Sequence, residues 1–381
     1  MKKTLAILFA LAGAVGVTFA EDAASAPVVS GGVQTGLWVY AADNDSTPNA
    51  VARNFSNTLD NGQPNYANMK VTYAGNSGGL CFGIATNDFT KFTDKSGNSM
   101  VYDSLQVDYA YGYLNFGSLA KLTLGMMADN TFATDWNYYM SKDVRQSEVG
   151  CLIDVTPGEG FHVGAYVPLA DSNALTAYID PTAKPVNALD YLGEADFLFK
   201  YDSGPIIVKA GYAMSQFNGA KPAANQSDIY LGLTYNGIQD LYLDAEAGLA
   251  NIGSSDADSK TASSCALTEW AKYTIGDLGL GLVLNETIYA ANGSLGYRVG
   301  PDVNYTLGGV KFGLCGRYLV TANAADTSTV ASFRVKPYAN VTVGQFTLKP
   351  YFQFDNSKTA NLGSGSGANV WNIGFDVAFT F

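Results

Sequence analysis

Only one histidine and four cysteines occur among the 381 residues, and Asp, Glu, Lys and Arg together make up 15% of the chain. A soluble domain carries about 25% charge, so this chain is short of polar surface. Its 47% hydrophobic content is nonetheless too low for a helical membrane protein. The 22 basic residues are outnumbered by 34 acidic ones, for a net charge of -12, and this excludes nucleic acid, whose binding needs a dense basic stripe to displace counterions. One histidine and scattered cysteines leave little for metal chemistry, and no cofactor is expected. Beyond the N-terminus no apolar run reaches the length of a membrane-spanning helix. What the chain has instead is 41 glycines, 24 tyrosines and 20 phenylalanines. Glycine at this density disfavours long helices, which leaves strands and turns.

The N-terminus reads Met1-Lys2-Lys3, then an apolar run from Leu5 to about Phe19, with Ala20 before Glu21. A basic start, an apolar centre and a small residue at the junction predict a signal peptide over residues 1–20, with 21–381 as one mature domain. Losing Lys2 and Lys3 takes the net charge from -12 to -14.

At the other end, Trp371, Ile373, Phe375, Val377, Phe379 and Phe381 alternate with Asn372, Gly374, Asp376, Ala378 and Thr380. A strand aromatic on one face and small or polar on the other fits a tilted transmembrane β-strand. An aromatic-alternating last strand ending in Phe381 resembles the C-terminal assembly signal of Gram-negative outer-membrane β-barrels, and the superfamily it points to is that of the porins. The resemblance implies a cell outer membrane location, recognition by the barrel assembly machinery, outer-membrane lipid around the wall and a homotrimer.

The same alternation runs along the mature chain without linkers: Val71 and Tyr73 against Lys70 and Thr72; Leu105, Val107, Tyr109, Tyr111 and Tyr113 against Gln106, Asp108, Ala110 and Gly112. Phe197, Phe199 and Tyr201 oppose Asp196, Leu198 and Lys200. Phe312, Leu314 and Tyr318 oppose Lys311, Gly313, Cys315 and Arg317, and Phe346, Leu348, Phe352 and Phe354 oppose Thr347, Lys349, Tyr351 and Gln353. Eight short turn-forming segments, around 75–79, 115–119, 157–160, 203–204, 236–239, 276–279, 308–309 and 343–345, take turns with nine longer ones. The count predicts an all-β transmembrane antiparallel barrel of about 18 strands, with 16 as the alternative. Glu269 and Glu286 interrupt the pattern, and bulges are expected there. Pro301, Pro337 and Pro350 predict bulges or strand ends. Trp38, Tyr40, Tyr113 and Trp371 read as interfacial girdle residues. A barrel of this size leaves an aqueous channel.

With the polar faces turned inward, the lumen acquires two arcs of charge. Glu148, Asp154, Glu194, Asp196, Asp244 and Glu246 form an acidic one, with Lys200 and Lys209 as exceptions. Arg298, Lys311, Arg317, Arg334, Lys336 and Lys349 form a basic one, with Asp302 as the main exception. Either the arcs set up a transverse field or their members pair across neighbouring strands. The loop 129–146 lies where general porins fold a loop into the channel. It carries Asp129, Asp135, Trp136, Tyr138 and Tyr139 but lacks those porins' Pro-Glu-Phe-Gly-Gly signature. Tyr166, Tyr230, Tyr242, Tyr338 and Tyr351 would face the lumen, where sugar rings could stack on them.

Catalysis finds little support. His162 sits alone near a short turn, facing the lumen. Cys81 and Cys315 face the lumen, Cys151 faces lipid and Cys265 is close to a loop, with no metal-binding spacing. Acidic loop tips at 43–46 and 256–258 read as solvated. The expected function is passive diffusion of small hydrophilic solutes through a porin with mild cation preference. A substrate-specific channel for sugars or amino acids and a surface adhesin or scaffold stay open as alternatives.

Overall fold

The computed structural model of the protein describes residues 26–44, 50–54, 66–87, 106–127, 131–132, 149–170, 195–215, 226–252, 264–289, 293–322, 329–356 and 367–381. The strands are β1 Val28–Asn44, β2 Ala50–Asn54, β3 Tyr66–Ala74, β4 Gly78–Asn87, β5 Gln106–Phe116, β6 Ala120–Met126 and β7 Val149–Gly158. They continue as β8 Phe161–Ala170, β9 Asp196–Asp202, β10 Ile206–Ser215, β11 Gln226–Tyr235, β12 Leu241–Ile252 and β13 Ser264–Ile275. The last six are β14 Leu278–Tyr289, β15 Leu295–Leu307, β16 Val310–Ala322, β17 Thr329–Val343, β18 Phe346–Asn356 and β19 Gly367–Thr380.

From β3 to β19 every strand pairs with the next, and β1 pairs with both β3 and β19, so eighteen antiparallel strands close into one barrel. The short β2 folds back on the far half of β1 and adds no stave. The seam is sealed at the C-terminus, where the Gly31 N–H donates to the Phe381 carbonyl (2.9 Å) and the Phe381 N–H donates to the Gly31 carbonyl (3.0 Å). A Cβ at Gly31 would stand 2.8 Å from the Phe381 ring, which is why glycine is needed there. All eight tight turns fall where the sequence predicts them, at one end of the barrel. Gly308 and Gly309 both have positive φ, 59° and 84°, as the two-residue turn between Leu307 and Val310 requires.

Burial runs opposite to that of a water-soluble fold. Asp376, Asp196 and Asp355 are 0%, 2% and 2% exposed, whereas Ile373, Phe197 and Leu314 are 61%, 54% and 51% exposed. The apolar parity points outward to meet hydrocarbon, and closure leaves no unpaired edge for lipid to contact.

Three expectations change. The register of β4 with β5 slips at Gly83/Ile84, so that Gly83 opposes Tyr109 and Ile84 opposes Val107, with Asp108 left over. One extra residue sends every later side chain to the other face. Tyr109, Tyr111 and Tyr113 therefore share the face of Gly83, Cys81 and Gly79 and line the lumen, and Tyr113 is not a girdle residue. Trp38 and Tyr40 are the register partners of Gly374 and Asn372, and their side chains lie outside the described residues; Trp371 is on the outer wall, 45% exposed.

The prolines lie mid-strand without bulges. Pro301, Pro337 and Pro350 keep their partners Leu282, Leu314 and Phe375 on one side, while the ladder skips a step on the other and resumes in the same register. In an antiparallel sheet a residue directs its N–H toward one neighbour only, so a missing donor interrupts one ladder and leaves the second intact. Glu269 and Glu286 cause no bulge either, because β13 and β14 pair without a break from Ser264/Tyr289 to Ile275/Leu278.

Candidate functional site

The site is the inner wall. On the acidic side Asp154, Asp196, Asp244 and Glu246 are all turned inward and no more than 8% exposed. Asp154 lies on β7 and faces His162 of β8, whose Nδ1 is 3.0 Å from Oδ1 and 3.2 Å from Oδ2. Thr156 Oγ1 is 3.5 Å from the same nitrogen. Asp244 accepts a hydrogen bond from the Thr234 hydroxyl at 2.7 Å, and Lys200 pairs with Asp202 at 3.2 Å. Across β7 to β12 the inward parity carries Asp154, Asp196, Asp202, Asp228, Asp244 and Glu246 against Lys200 and Lys209, a surplus of four negative charges among the described residues.

Between these carboxylates lies an apolar pad. Met127, Phe132, Leu152, Tyr166, Leu198, Ala213 and Tyr230 form one buried cluster on the lumen side, with Tyr111 against it. Phe132 belongs to the segment after β6, not to a stave. Its ring is fully buried and meets the His162 ring edge-on, with centroids 6.4 Å apart. The wall makes room for it at Gly164, where a Cβ would stand 2.6 Å from the Phe132 ring. An aromatic residue that belongs to no strand is thus seated on the lumen face of β8. Asp129, Asp135, Trp136, Tyr138 and Tyr139, and also Glu148 and Glu194, lie outside the described residues.

The basic side spans β15 to β18. Arg298, Lys311, Arg317, Arg334, Lys336 and Lys349 all have the inward parity, and Arg317 and Arg334 are directly cross-strand. They are not alone. Buried Asp355 accepts from Arg334 Nε at 2.7 Å and from Arg317 Nη2 at 3.5 Å, and Gln353 Nε2 donates to its other oxygen. Lys349 is the register partner of Asp376, and Asp302 accepts from Asn304 at 2.8 Å and from the Tyr338 hydroxyl at 3.2 Å. With Asp376 of the adjoining β19 included, six cations face the three carboxylates Asp302, Asp355 and Asp376, a surplus of three positive charges among the described residues. Part of the basic arc is thus paired across neighbouring strands.

Among the described residues four lysines rest on tyrosine rings. Lys70 lies 5.1 Å from the Tyr109 centroid, Lys121 4.4 Å from Tyr113, Lys336 4.1 Å from Tyr351 and Lys349 4.8 Å from Tyr338. Beneath Tyr109, Tyr113 and Tyr338 lie Gly83, Gly79 and Gly313, where any Cβ would strike the ring. The ammonium groups are pinned close to the wall by cation–π attraction. Of the tyrosines expected to stack sugars, Tyr166, Tyr230 and Tyr351 are under 5% exposed and Tyr242 packs on Trp270 with centroids 5.1 Å apart, so these rings are spent on packing the wall.

Sequence reasoning misplaced the β5 tyrosines because the bulge at Asp108 hides their parity, it did not single out Lys70 and Lys121, whose ring partners those tyrosines are, and it missed Asp355 because the residue stands beside a predicted loop. Phe132 fell within the proposed constriction loop but was not singled out. All four cysteines are free, with Cys81 and Cys315 inward and Cys151 outward as expected.

The fold is that of Gram-negative outer-membrane porins. OccAB4 of Acinetobacter baumannii superposes with a TM-score of 0.56 at 13% identity, covering 95% of this chain and 99% of its own. OccK8 (OprE) of Pseudomonas aeruginosa gives 0.55 at 9% identity, with 93% and 98% covered. OpdQ of the same species gives 0.52 at 9%, with the same coverages. No protein-family model matches the sequence, and neither does any curated protein.

Proposed function

We propose that this protein is an outer-membrane porin, a water-filled channel through which small hydrophilic solutes and ions diffuse passively without any chemical step. The observation that carries this reading is the inversion of burial in a ring of eighteen strands: carboxylates and ammonium groups turned inward, large apolar side chains outward. A barrel of this girth has an interior too wide to be filled by its own wall side chains. Residues 1–20 serve export, the Phe381 strand serves recognition by the barrel assembly machinery, the wall sits in outer-membrane lipid, and three copies make the functional unit.

Selectivity comes from the two arcs. The acidic surplus on β7 to β12 and the chain's overall charge favour cations mildly, while the basic surplus on β15 to β18 moderates that preference. The segment rooted by Phe132 narrows the pore, with Asp129, Asp135, Trp136, Tyr138 and Tyr139 lining the constriction. Single-channel recording of the refolded protein in a planar bilayer, with the reversal potential read across a salt gradient, tests this. Steady conductance steps with a small cation-directed potential are expected; a folded, heat-modifiable barrel that conducts nothing overturns it in favour of a surface scaffold. The lysine–tyrosine pairs lend support to a second reading, a channel with a solute site in its lumen, which would show as saturable block by that solute.

A further inference from the structure

The outer wall of β12 to β14 does not suit lipid. Glu269 pairs with Ala245 on β12 and Leu284 on β14, and Glu286 pairs with Leu267 and with Tyr297, so both share the outward parity of Leu243 and Leu282. Glu286 stands beside Tyr297, which belongs to the outer ring of aromatics: Tyr297 packs on Tyr318, Phe333 on Phe354, and Phe354 on Trp371. Glu269 lies on the neighbouring strand, two residues further from the loops than Leu267, hence deeper than that ring. Its Oε2 is buried and has no hydrogen-bond partner. Acyl chains offer neither donor nor acceptor, and no Lys or Arg of the eighteen barrel strands has the outward parity among the described residues. Beside Glu269, Ala245 and Ala271 floor a groove walled by Leu243 and Leu284, and small residues let two walls approach closely.

We propose that this wall is the contact between copies of the chain, with β13 of each copy near the three-fold axis and the carboxyls of Glu269 and Glu286 hydrogen-bonded across it. A second copy is the occupant because a protonated carboxyl both donates and accepts, so like groups satisfy one another where the wall supplies no cation. The inference rests on the trimer reading and assigns it a face.

Cys265 provides the test, since it faces outward on the same strand, four residues from Glu269. In outer membranes holding the native chain, oxidation with copper phenanthroline is expected to give a dimer band on a non-reducing gel. Cys265→Ser abolishes that band and Cys151→Ser, on the distant β7, preserves it. Native mass spectrometry in mild detergent is expected to give three copies for the native chain and one for Glu269→Leu/Glu286→Leu. A trimeric mass with no link through Cys265, or with a link through Cys151, overturns the assigned face and leaves the trimer standing, and so does a folded glutamate double variant that stays trimeric. A monomeric native chain overturns both. If the double variant fails to assemble, the cysteine link decides alone.

Discussion

Replacing Phe132 with alanine is expected to open the channel. The ring is fully buried on the lumen wall, edge-on to His162 and seated over Gly164, and in the reading proposed above it anchors a constriction. Truncating a buried phenylalanine costs about 3–5 kcal/mol, and the lower end applies here because Met127 and Tyr166 can close over part of the gap. With ~1.4 kcal/mol per factor of ten, about 3 kcal/mol shifts the balance between seated and released segment by roughly a hundredfold. The Phe132→Ala barrel should fold, since no stave is touched, and should migrate as a heat-modifiable band. Its single-channel conductance should be larger than that of the native chain, with more frequent excursions as the freed segment moves. Gly164→Ala, which places a Cβ 2.6 Å from the ring, should act in the same direction, and Val163→Ala, on the exposed outer face, should leave conductance alone. A folded Phe132→Ala channel of native conductance would refute the claim that this aromatic anchor narrows the pore.

Asp355→Asn should turn the reversal potential toward anions, because it removes one of three carboxylates from the basic side. It should also lower the heat-modification midpoint, by about 2 kcal/mol of stability, since the Arg317 and Arg334 side chains are 24% and 26% exposed and water replaces part of what they lose. Asp244→Asn/Glu246→Gln should weaken cation preference in the same bilayer measurement with unit conductance little changed; a potential that does not move would show that the acidic arc is silent. Phe381→Ala keeps both backbone hydrogen bonds to Gly31 but removes the ring, and should reduce the folded fraction delivered to the outer membrane, read as the ratio of heat-modifiable to unfolded band.

Strand existence and turn position were legible in the sequence because alternation and Gly-rich turns are local signals. The last strand, from Trp371 to Phe381, carried the fold almost alone. What escaped depends on parity, which a single inserted residue reverses: Asp108 moved three tyrosines from wall to lumen without any trace in composition. Glu269 misled for the opposite reason. A charge on an outward position reads as a break in the strand, whereas the ladder continues and the charge remains on the wall. The prolines misled because sequence does not tell which neighbour a missing donor would have faced. At the lumen, the alternation named the basic residues of β15 to β18, but the carboxylates beside them, Asp355 and Asp376, become apparent only with the register that sets them next to Arg334 and Lys349.

The lysines laid on tyrosine rings over glycines have an electrical consequence. A free lysine in a pore sweeps its ammonium through several ångströms, so the potential felt by a passing ion flickers with the rotamer. Lys70, Lys121 and Lys349 instead sit at set heights on a flat aromatic bed, and the current through such a lumen should be quiet. Removing the ring beneath a lysine, as in Tyr113→Leu, would leave the formal charge of the wall unchanged while raising open-channel noise. Charge and signal quality are thereby separate properties of this wall, set by different residues.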